Sequence, residues 1–499
     1  MPTRVAGIAF IGAALMVLLG IAVSSPIIVS LGGTGFAALG FALALTMPTG
    51  RRVRHEKLEF AWWLAHGDGA SAGGAVTPGA PFTVRCYIRH RGHVPLFLSQ
   101  MKPIVPGGAR LLQDEPDSLM LMPATRTEFA FRLLAPAAGR VVLHGLAVTL
   151  VGPLGLFEVP LYFPNPLAIK VLPSAAAIRH ASQRSLAGLP LERSGTTRVR
   201  RPGGGTELRE LRELHSGDPF KSIAWKASAR AGKLLVREVE REVQDVHYVI
   251  VDVSGTMRGG ALGRRKLDFA IEAATVEARR TLERGDEFGL ITVDGRILHH
   301  VPADDGVRHM IRVYDALIGC TEVVDHDLTD LDDDEVVATV GRYVRNQDGI
   351  DFSSTTKPDA WEVGPLIQHV SRSLGKEGSK EQVLALSPTS TLLRRFCKVR
   401  GIPLPYRPDP RDASKAPGLA HALREAEGRS RVPRSILLIT DLDSLGAPEP
   451  LVAAVKLMRI HGHSITLFVL DARHFVDAPS NVVEADLYRV YGHGEDRRL

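Results

Sequence analysis

The chain has 499 residues and a formal net charge of +6, so it is long enough for two or three domains and only mildly basic. Such a charge fits solubility or attraction to a membrane surface as well as it fits nucleic acid binding. Its three cysteines, Cys86, Cys320 and Cys397, are far apart, which argues against a disulfide framework or a cysteine zinc site and suits a reducing compartment.

Two apolar, uncharged stretches open the chain, at residues 5–23 and 26–47. Each can cross about 30 Å of hydrocarbon as a helix. A cleaved signal peptide is the alternative for the first stretch, but the second follows it at once. We therefore expect residues 1–57 to form a transmembrane helical hairpin. Basic residues lie at both of its ends and none in the turn, which predicts cytoplasmic termini and main domains; they are Arg4, Arg51, Arg52, Arg54 and Lys57.

Residues 58–175 show apolar side chains at every second position, as in Phe82, Val84, Cys86 and Ile88. This period is typical of half-buried strands, and Gly and Pro separate several short runs of the same kind. We expect an antiparallel, β-sandwich-like module. It contains no catalytic grouping, which favours a role as spacer or interaction module.

Residues 176–245 form a linker segment that is rich in arginine between residues 193 and 212. One interpretation is an arm that binds phosphate or nucleic acid. The other is a solvated, flexible linker. No aromatic residues alternate with the arginines, so bases would have nothing to stack on, and the linker is favoured.

An apolar, β-branched run at residues 246–251 is typical of a buried parallel strand, and it ends at Asp252. Ser254 and Thr256 follow on one tight loop. Carboxylate and hydroxyl oxygens are the donors that Mg²⁺ or Mn²⁺ prefers. An ordinary Ser/Gly turn after a strand is the alternative.

Residues 246–499 alternate strands and helices, which predicts a doubly wound α/β domain with a mostly parallel sheet. A later strand at residues 435–440 also ends in a carboxylate, Asp441. Because the carboxyl ends of parallel strands meet at one edge, we expect Asp252 and Asp441 to converge.

An insertion at about 320–412 interrupts this domain and begins with several aspartates. A calcium loop lacks the EF-hand glycine and glutamate, so a solvated acidic insertion with helical patches at 336–344 and 365–374 is favoured. Insertions at a ligand rim often set partner choice.

The order of motifs from Arg212 to Thr256 resembles a bacterial membrane-anchored family, domain of unknown function fifty-eight. The motifs are R-E-L-H-S-G-D at 212–218, I-A-W-K-A-S-A-R at 223–230, L-x-V-R-E at 234–238 and D-x-S-x-T at 252–256. G-P-L-G-L-F at 152–157 is similar to a further family motif, with Gly152 in place of Asp. Leu214 and Ala224 also depart from the family pattern. The resemblance covers nearly the whole chain outside about 320–412.

The resemblance implies a bacterial inner (cytoplasmic) membrane protein whose last domain is von Willebrand factor A-like, with a metal-ion-dependent adhesion site. Ser254 and Thr256 would ligate Mg²⁺ or Mn²⁺ directly, and Asp252 and Asp441 would ligate it or hold its waters. An open position would accept a partner's carboxylate. Pro417 stands where the fold's usual second-loop Thr is expected, so the site is weak or degenerate.

The family's genes commonly accompany those of MoxR-type AAA+ ATPases, which implies a non-enzymatic, membrane-anchored adaptor for such an ATPase in the assembly or maturation of protein complexes. Trp225, Lys226 and Arg230 are candidate partner-binding residues; alternatively, Trp225 packs onto the next domain. The rival function is a Mg²⁺-dependent phosphoaspartyl phosphotransferase or phosphatase with Asp252 as nucleophile. It lacks a convincing phosphate-binding lysine, for which Lys398 is the candidate.

Overall fold

The structure is a computed structural model of the chain. It describes residues 1–52, 58–65, 75–93, 95–112, 118–152, 154–173, 202–215, 218–240, 245–354, 360–378, 380–407, 415–428, 433–443, 445–471 and 474–475.

Two apolar helices open the chain, α1 (Arg4–Ala22) and α2 (Pro26–Arg52), and both are long and apolar enough to cross a membrane. The side chain of Thr3 caps α1 by accepting a hydrogen bond from the Ala6 backbone N–H at 3.2 Å. The two helices predicted from the apolar runs are therefore present.

Within the described residues, nine strands follow and form two sheets around a shared apolar core. The strands are β1 (Leu58–Leu64), β2 (Ala75–Val76), β3 (Pro81–His90), β4 (Leu96–Ile104), β5 (Arg110–Leu111), β6 (Leu119–Leu121), β7 (Arg126–Leu134), β8 (Gly139–Val151) and β9 (Glu158–Val171). The sheet orders are β1-β3-β7-β5 and β2-β9-β8-β4-β6, and every pairing except β2 with β9 is antiparallel. In β3 the four apolar side chains at alternating positions are all buried, as the period-two pattern predicts.

The turn between β8 and β9 contacts the hairpin. The Thr3 backbone N–H donates to the Leu156 carbonyl at 3.0 Å, and the Glu158 N–H donates to the Met1 carbonyl at 2.8 Å. Gly152 lies so close to Thr46 of α2 that a Cβ there would overlap the threonine side chain. The turn thus meets the same end of both helices.

Strand β10 (Pro202–Glu213) pairs antiparallel with β11 (Leu235–Glu240), and the short helix α3 (Trp225–Ala231) lies between them in the chain. The expectation of a flexible linker is wrong for the described part of residues 193–212. That part belongs to strand β10, which pairs with β11 at both of its ends. Arg212 forms a bidentate ion pair with Asp218 at 2.7 and 2.8 Å. Residues 193–201 lie outside the described residues.

The last unit is a five-stranded sheet with helices on both faces, in the order β14-β13-β12-β15-β16. Strands β12, β13, β15 and β16 are parallel to one another, and β14 pairs antiparallel with β13 at the edge. Helices α5 and α6 belong to the apolar cluster on one face, and α10 and α11 belong to that on the other. The elements are β12 (Val246–Asp252), α4 (Gly255–Arg258), α5 (Lys266–Glu283), β13 (Glu287–Val293), β14 (Ile297–Asp304), α6 (Gly306–Gly319), α10 (Lys415–Glu427), β15 (Arg434–Thr440), α11 (Glu449–Ile460) and β16 (Ser464–Val469).

The insertion folds as a helical unit with its own buried core. Helices α7 (Asp333–Tyr343), α8 (Val363–Gly378) and α9 (Pro388–Arg400) supply that core, and they contain most of the two predicted helical patches. The expectation of a solvated acidic segment holds for Asp330, Asp332 and Asp334, which are exposed, but is wrong for Asp325 and Asp327, which are half-buried. Asp325 and Asp327 both pair with Arg296, and Asp332 caps α7 through the Glu335 backbone N–H at 2.8 Å.

Candidate functional site

The four residues predicted to bind metal lie together at the carboxyl edge of the sheet. Asp252 ends β12, Asp441 follows the neighbouring parallel strand β15, and Thr256 Oγ1 donates to Asp441 Oδ1 at 3.1 Å. Ser254 Oγ lies 3.2 Å from Thr256 Oγ1, and the Ser254 backbone N–H donates to Asp252 Oδ1 at 3.0 Å. The convergence of the two strand-end carboxylates follows the sequence-based expectation.

A lysine that the sequence analysis did not consider lies at the centre of this group. The Nζ of Lys415, the first residue of α10, donates to Asp252 Oδ2 at 2.8 Å and to Thr256 Oγ1 at 3.1 Å. It also contacts Asp441 Oδ1 and lies 3.5 Å from Ser254 Oγ. Lys415 is 1% exposed. One ammonium group therefore contacts all four predicted ligand side chains.

A second buried lysine holds the other side of Asp441. The Nζ of Lys266, the first residue of α5, donates to Asp441 Oδ2 at 2.8 Å and to Asp443 Oδ2 at 3.0 Å. Thr440 Oγ1 donates to Asp252 Oδ2 at 2.6 Å. Both oxygens of Asp252 and both of Asp441 therefore accept hydrogen bonds within the protein.

The charges in this cluster nearly balance, because three carboxylates surround two ammonium groups. Burial works to lower the pKa of Lys415, but the charges of Asp252 and Asp441 outweigh it and raise that pKa above its ordinary value. Burial works to raise the pKa of Asp441, but the two lysines outweigh it and lower that pKa. These shifts favour the ionised form of Lys415 and of Asp441 at neutral pH.

The residues present do not fit a divalent cation in this arrangement. An ion bound to the same four side chains would lie within a few ångströms of the Lys415 ammonium, in a buried site where charges repel more strongly than they do in water. The carboxylate and hydroxyl oxygens that already accept hydrogen bonds from lysine also have fewer lone pairs free to bind a metal ion. Metal binding at Asp252, Ser254, Thr256 and Asp441 stays a prediction.

Lys415 was not predicted from the sequence, because the expected ligand near Pro417 is a hydroxyl and Lys415 lies two residues before that proline. Pro417 is exposed on α10 and is not in the cluster. Lys266 and Asp443 were also missed, although Asp443 follows Asp441 by two residues. The lysine considered for phosphate binding, Lys398, contacts Glu322 and Glu381 instead.

The insertion borders the cluster through Tyr406. Its ring lies so close to Gly255, between Ser254 and Thr256, that a Cβ on that glycine would overlap it. The Tyr406 hydroxyl donates to Asp294, and the Arg258 guanidinium lies 4.9 Å from the ring centroid. A cavity of about 530 Å³ is lined by Arg258 and Tyr406 together with β8 and the insertion; Asp252 and Asp441 are not among its lining residues.

A second group with metal-ligand chemistry, Glu427, His461 and His463, lies at the opposite edge of the domain's last strands. His463 Nδ1 accepts from the Arg434 backbone N–H at 3.1 Å. In a neutral ring this leaves the proton on Nε2, the nitrogen that faces Glu427. That tautomer makes His463 a donor towards Glu427 rather than a ligand.

The predicted partner-binding residues Trp225, Lys226 and Arg230 lie together on α3, and all three are exposed. Trp225 is 61% exposed, and nearby Phe220 is 79% exposed. The alternative that Trp225 packs onto the next domain is therefore wrong for the described residues. We call Phe220, Trp225, Lys226 and Arg230 the aromatic face.

A family model described as "Protein of unknown function DUF58" matches residues 210–340. Uncharacterized proteins of Mycobacterium tuberculosis and of Mycobacterium bovis are each 28% identical over 108 residues, which is 22% of this chain and 34% of each relative. The match thus spans about a third of the length of those relatives.

Two solved structures align with parts of the chain. A FixG-related protein from Vibrio parahaemolyticus has a TM-score of 0.16 and 6% identity, over 23% of this chain and 97% of that chain. The sporulation control protein Spo0M from Bacillus subtilis has a TM-score of 0.16 and 13% identity, over 25% of this chain and 56% of that chain. Scores this low carry no argument about fold or function.

Proposed function

We propose that the chain is a membrane-anchored adaptor that binds a cytoplasmic protein partner and performs no chemistry of its own. In this proposal α1 and α2 span a bacterial inner membrane with both ends cytoplasmic, since Arg4 and Arg51 flank the hairpin on one side. The strands β1 to β9 act as a β-sandwich-like spacer, and the last domain is von Willebrand factor A-like.

The observation that carries the proposal is the exposure of the aromatic face. Large aromatic side chains are enriched at the centres of protein interfaces, where their burial contributes most of the binding energy. Here Phe220 and Trp225 remain exposed on a short folded segment. The same segment lies within the residues that the family model matches.

The charges around the aromatic face indicate the chemistry of the partner. Exposed cations lie on α3 and on the segments before and after it: Lys221, Lys226, Arg230 and Arg237. Lys233 is also exposed but pairs with Glu213. A partner surface with an apolar pocket inside an acidic rim would complement both features. The sequence resemblance supplies the candidate partner, a MoxR-type AAA+ ATPase.

The test measures, by calorimetry, the binding of a purified MoxR-type AAA+ ATPase from the same genome to the full chain in lipid nanodiscs. We expect Trp225→Ala to weaken binding by about 2 kcal/mol or more, about thirtyfold. Ile460→Ala is the control, because Ile460 is a large apolar side chain on α11 that is even more exposed than Trp225. If the wild-type protein does not bind the ATPase, the proposed partner is wrong. If both variants bind it equally well, the aromatic face is not the binding surface.

The phosphoaspartyl function gains one observation from the structure, since a lysine does lie beside Asp252. Against it, the Asp252 carboxylate is fully buried, and both of its oxygens accept hydrogen bonds within the protein. A nucleophile needs a free lone pair and room for phosphate. We expect no Mg²⁺-dependent hydrolysis of p-nitrophenyl phosphate or acetyl phosphate above that of Asp252→Asn; a rate that this substitution abolishes would establish the enzyme instead.

A further inference from the structure

We infer that the Lys415 ammonium is the resident cation of the Asp252–Asp441 cluster and takes the position of a divalent ion, so that the sheet edge is closed without metal. This inference is independent of the partner proposal. It concerns the cluster itself, and the aromatic face plays no part in it.

The geometry supports the inference because the ammonium reaches the same oxygens that a metal would use. Lys415 Nζ contacts one carboxylate oxygen from each strand end, Asp252 Oδ2 and Asp441 Oδ1. It also donates to Thr256 Oγ1, and Ser254 Oγ lies at 3.5 Å. An ammonium has three protons, so these contacts use its full donor capacity.

The charge balance supports the same conclusion. A buried ammonium is stable only when carboxylates and hydrogen-bond acceptors replace its water, and this cluster supplies both. Lys266 offsets a second of the three negative charges through its contacts with Asp441 and Asp443, which leaves the cluster with a formal charge of −1. A divalent ion added to the cluster would meet two buried positive charges, while the carboxylates would already be paired.

The backbone fixes Lys415 in this position. Gly418, one turn further along α10, packs directly against the Asp294 carbonyl at the end of β13, where a Cβ would overlap that oxygen. The helix start therefore cannot move away from the sheet edge without losing this contact. Lys415 links α10 to the ends of β12 and β15, and Lys266 links α5 to Asp441 and Asp443.

The first test uses the unmodified full chain in nanodiscs and measures the reaction of each lysine with an amine-acylating reagent by mass spectrometry. Only the neutral, accessible amine reacts, so Lys415 should label at least about a hundredfold more slowly than exposed Lys456 of α11. Millimolar Mg²⁺ or Mn²⁺ should leave that protection unchanged. If the metal raises Lys415 labelling towards that of Lys456, the ion displaces the ammonium and the inference is wrong.

The second test measures Mn²⁺ binding to the full chain in nanodiscs by electron paramagnetic resonance. Wild-type protein and Asp252→Asn should bind the same amount of Mn²⁺, because none of the bound ion should occupy the cluster. Lys415→Ala removes the competing positive charge and should bind one Mn²⁺ per chain, and the added substitution Asp252→Asn should abolish that binding. Stoichiometric, Asp252-dependent Mn²⁺ binding by the wild type would overturn the inference. If Lys415→Ala does not fold, the labelling experiment and the wild-type measurement still decide it.

Discussion

Replacing Lys415 by methionine should destabilise the α/β domain strongly. At 2.8 Å and an effective dielectric constant of about 20, each close ammonium–carboxylate pair contributes about 6 kcal/mol of attraction before the cost of burial is subtracted. Lys415 makes such a pair with Asp252 and another with Asp441. Most of this attraction offsets the loss of hydration, and removing one partner of a buried pair costs about 3–5 kcal/mol net.

The assay is thermal unfolding of the full chain in nanodiscs by differential scanning fluorimetry. A domain of this size loses about 2–4 °C in Tm for each kcal/mol, so Lys415→Met should lower the Tm by roughly 6–20 °C. Lys456→Met, the same substitution at an exposed position of α11, is the control and should change stability by less than about 0.5 kcal/mol.

A double substitution separates the charge pair from simple loss of packing. Asp252→Asn removes one of the carboxylates that Lys415→Met leaves unpaired, so the double variant should be more stable than the sum of the two single losses predicts. A Tm that falls by less than about 2 °C in Lys415→Met, or losses that simply add, would refute the view of the cluster as a charge-balanced unit.

Three further substitutions test other parts of the fold in the same assay. Burial raises the pKa of Glu272 to about 7, so the folded state favours its protonated form and the wild type loses stability as pH rises from about 4.5 to 7. After allowance for solvent screening, Glu272→Gln should raise the free energy of unfolding by about 1 kcal/mol at pH 8 and by little at pH 4. An equal gain in stability at both pH values would contradict this assignment. Arg394→Met should lower the free energy of unfolding by about 3 kcal/mol, since the carbonyls of Val324 and Leu331 lose a buried hydrogen-bond donor. Limited proteolysis should then cut the insertion first. Unchanged resistance to the protease would show that Arg394 does not hold the insertion together. Gly418→Ala should cost about 1–3 kcal/mol through overlap with the Asp294 carbonyl, whereas no loss would show that α10 can shift.

The sequence predicted the features that depend on local periodicity. The apolar runs predicted α1 and α2, and alternation predicted β3, because burial on one face of a strand leaves a direct mark at every second residue. The two strand-end aspartates were also predicted to meet, since parallel neighbours in a sheet bring their carboxyl ends to one edge. These inferences need only the chain near each residue and general rules of sheet topology.

The occupant of the cluster could not be predicted in the same way. Lys415 lies 163 residues from Asp252 in the chain, and a lysine at the start of a helix is ordinarily solvated. The insertion was mistaken for a solvated segment because its opening aspartates dominate the local composition. Their role depends on Arg296, a distant cation that local composition does not reveal.

The contact between the β8–β9 turn and the helical hairpin has a mechanical consequence. Backbone hydrogen bonds join the turn to the first residues of the chain, and Gly152 seats it against Thr46. With the hairpin in a bilayer, a load applied to the strand module would pass through these contacts into the lipid, in parallel with the covalent chain. If the chain acts as the proposed adaptor, a force that tilts the strand module against the hairpin would have to break these contacts as well as bend the chain between them.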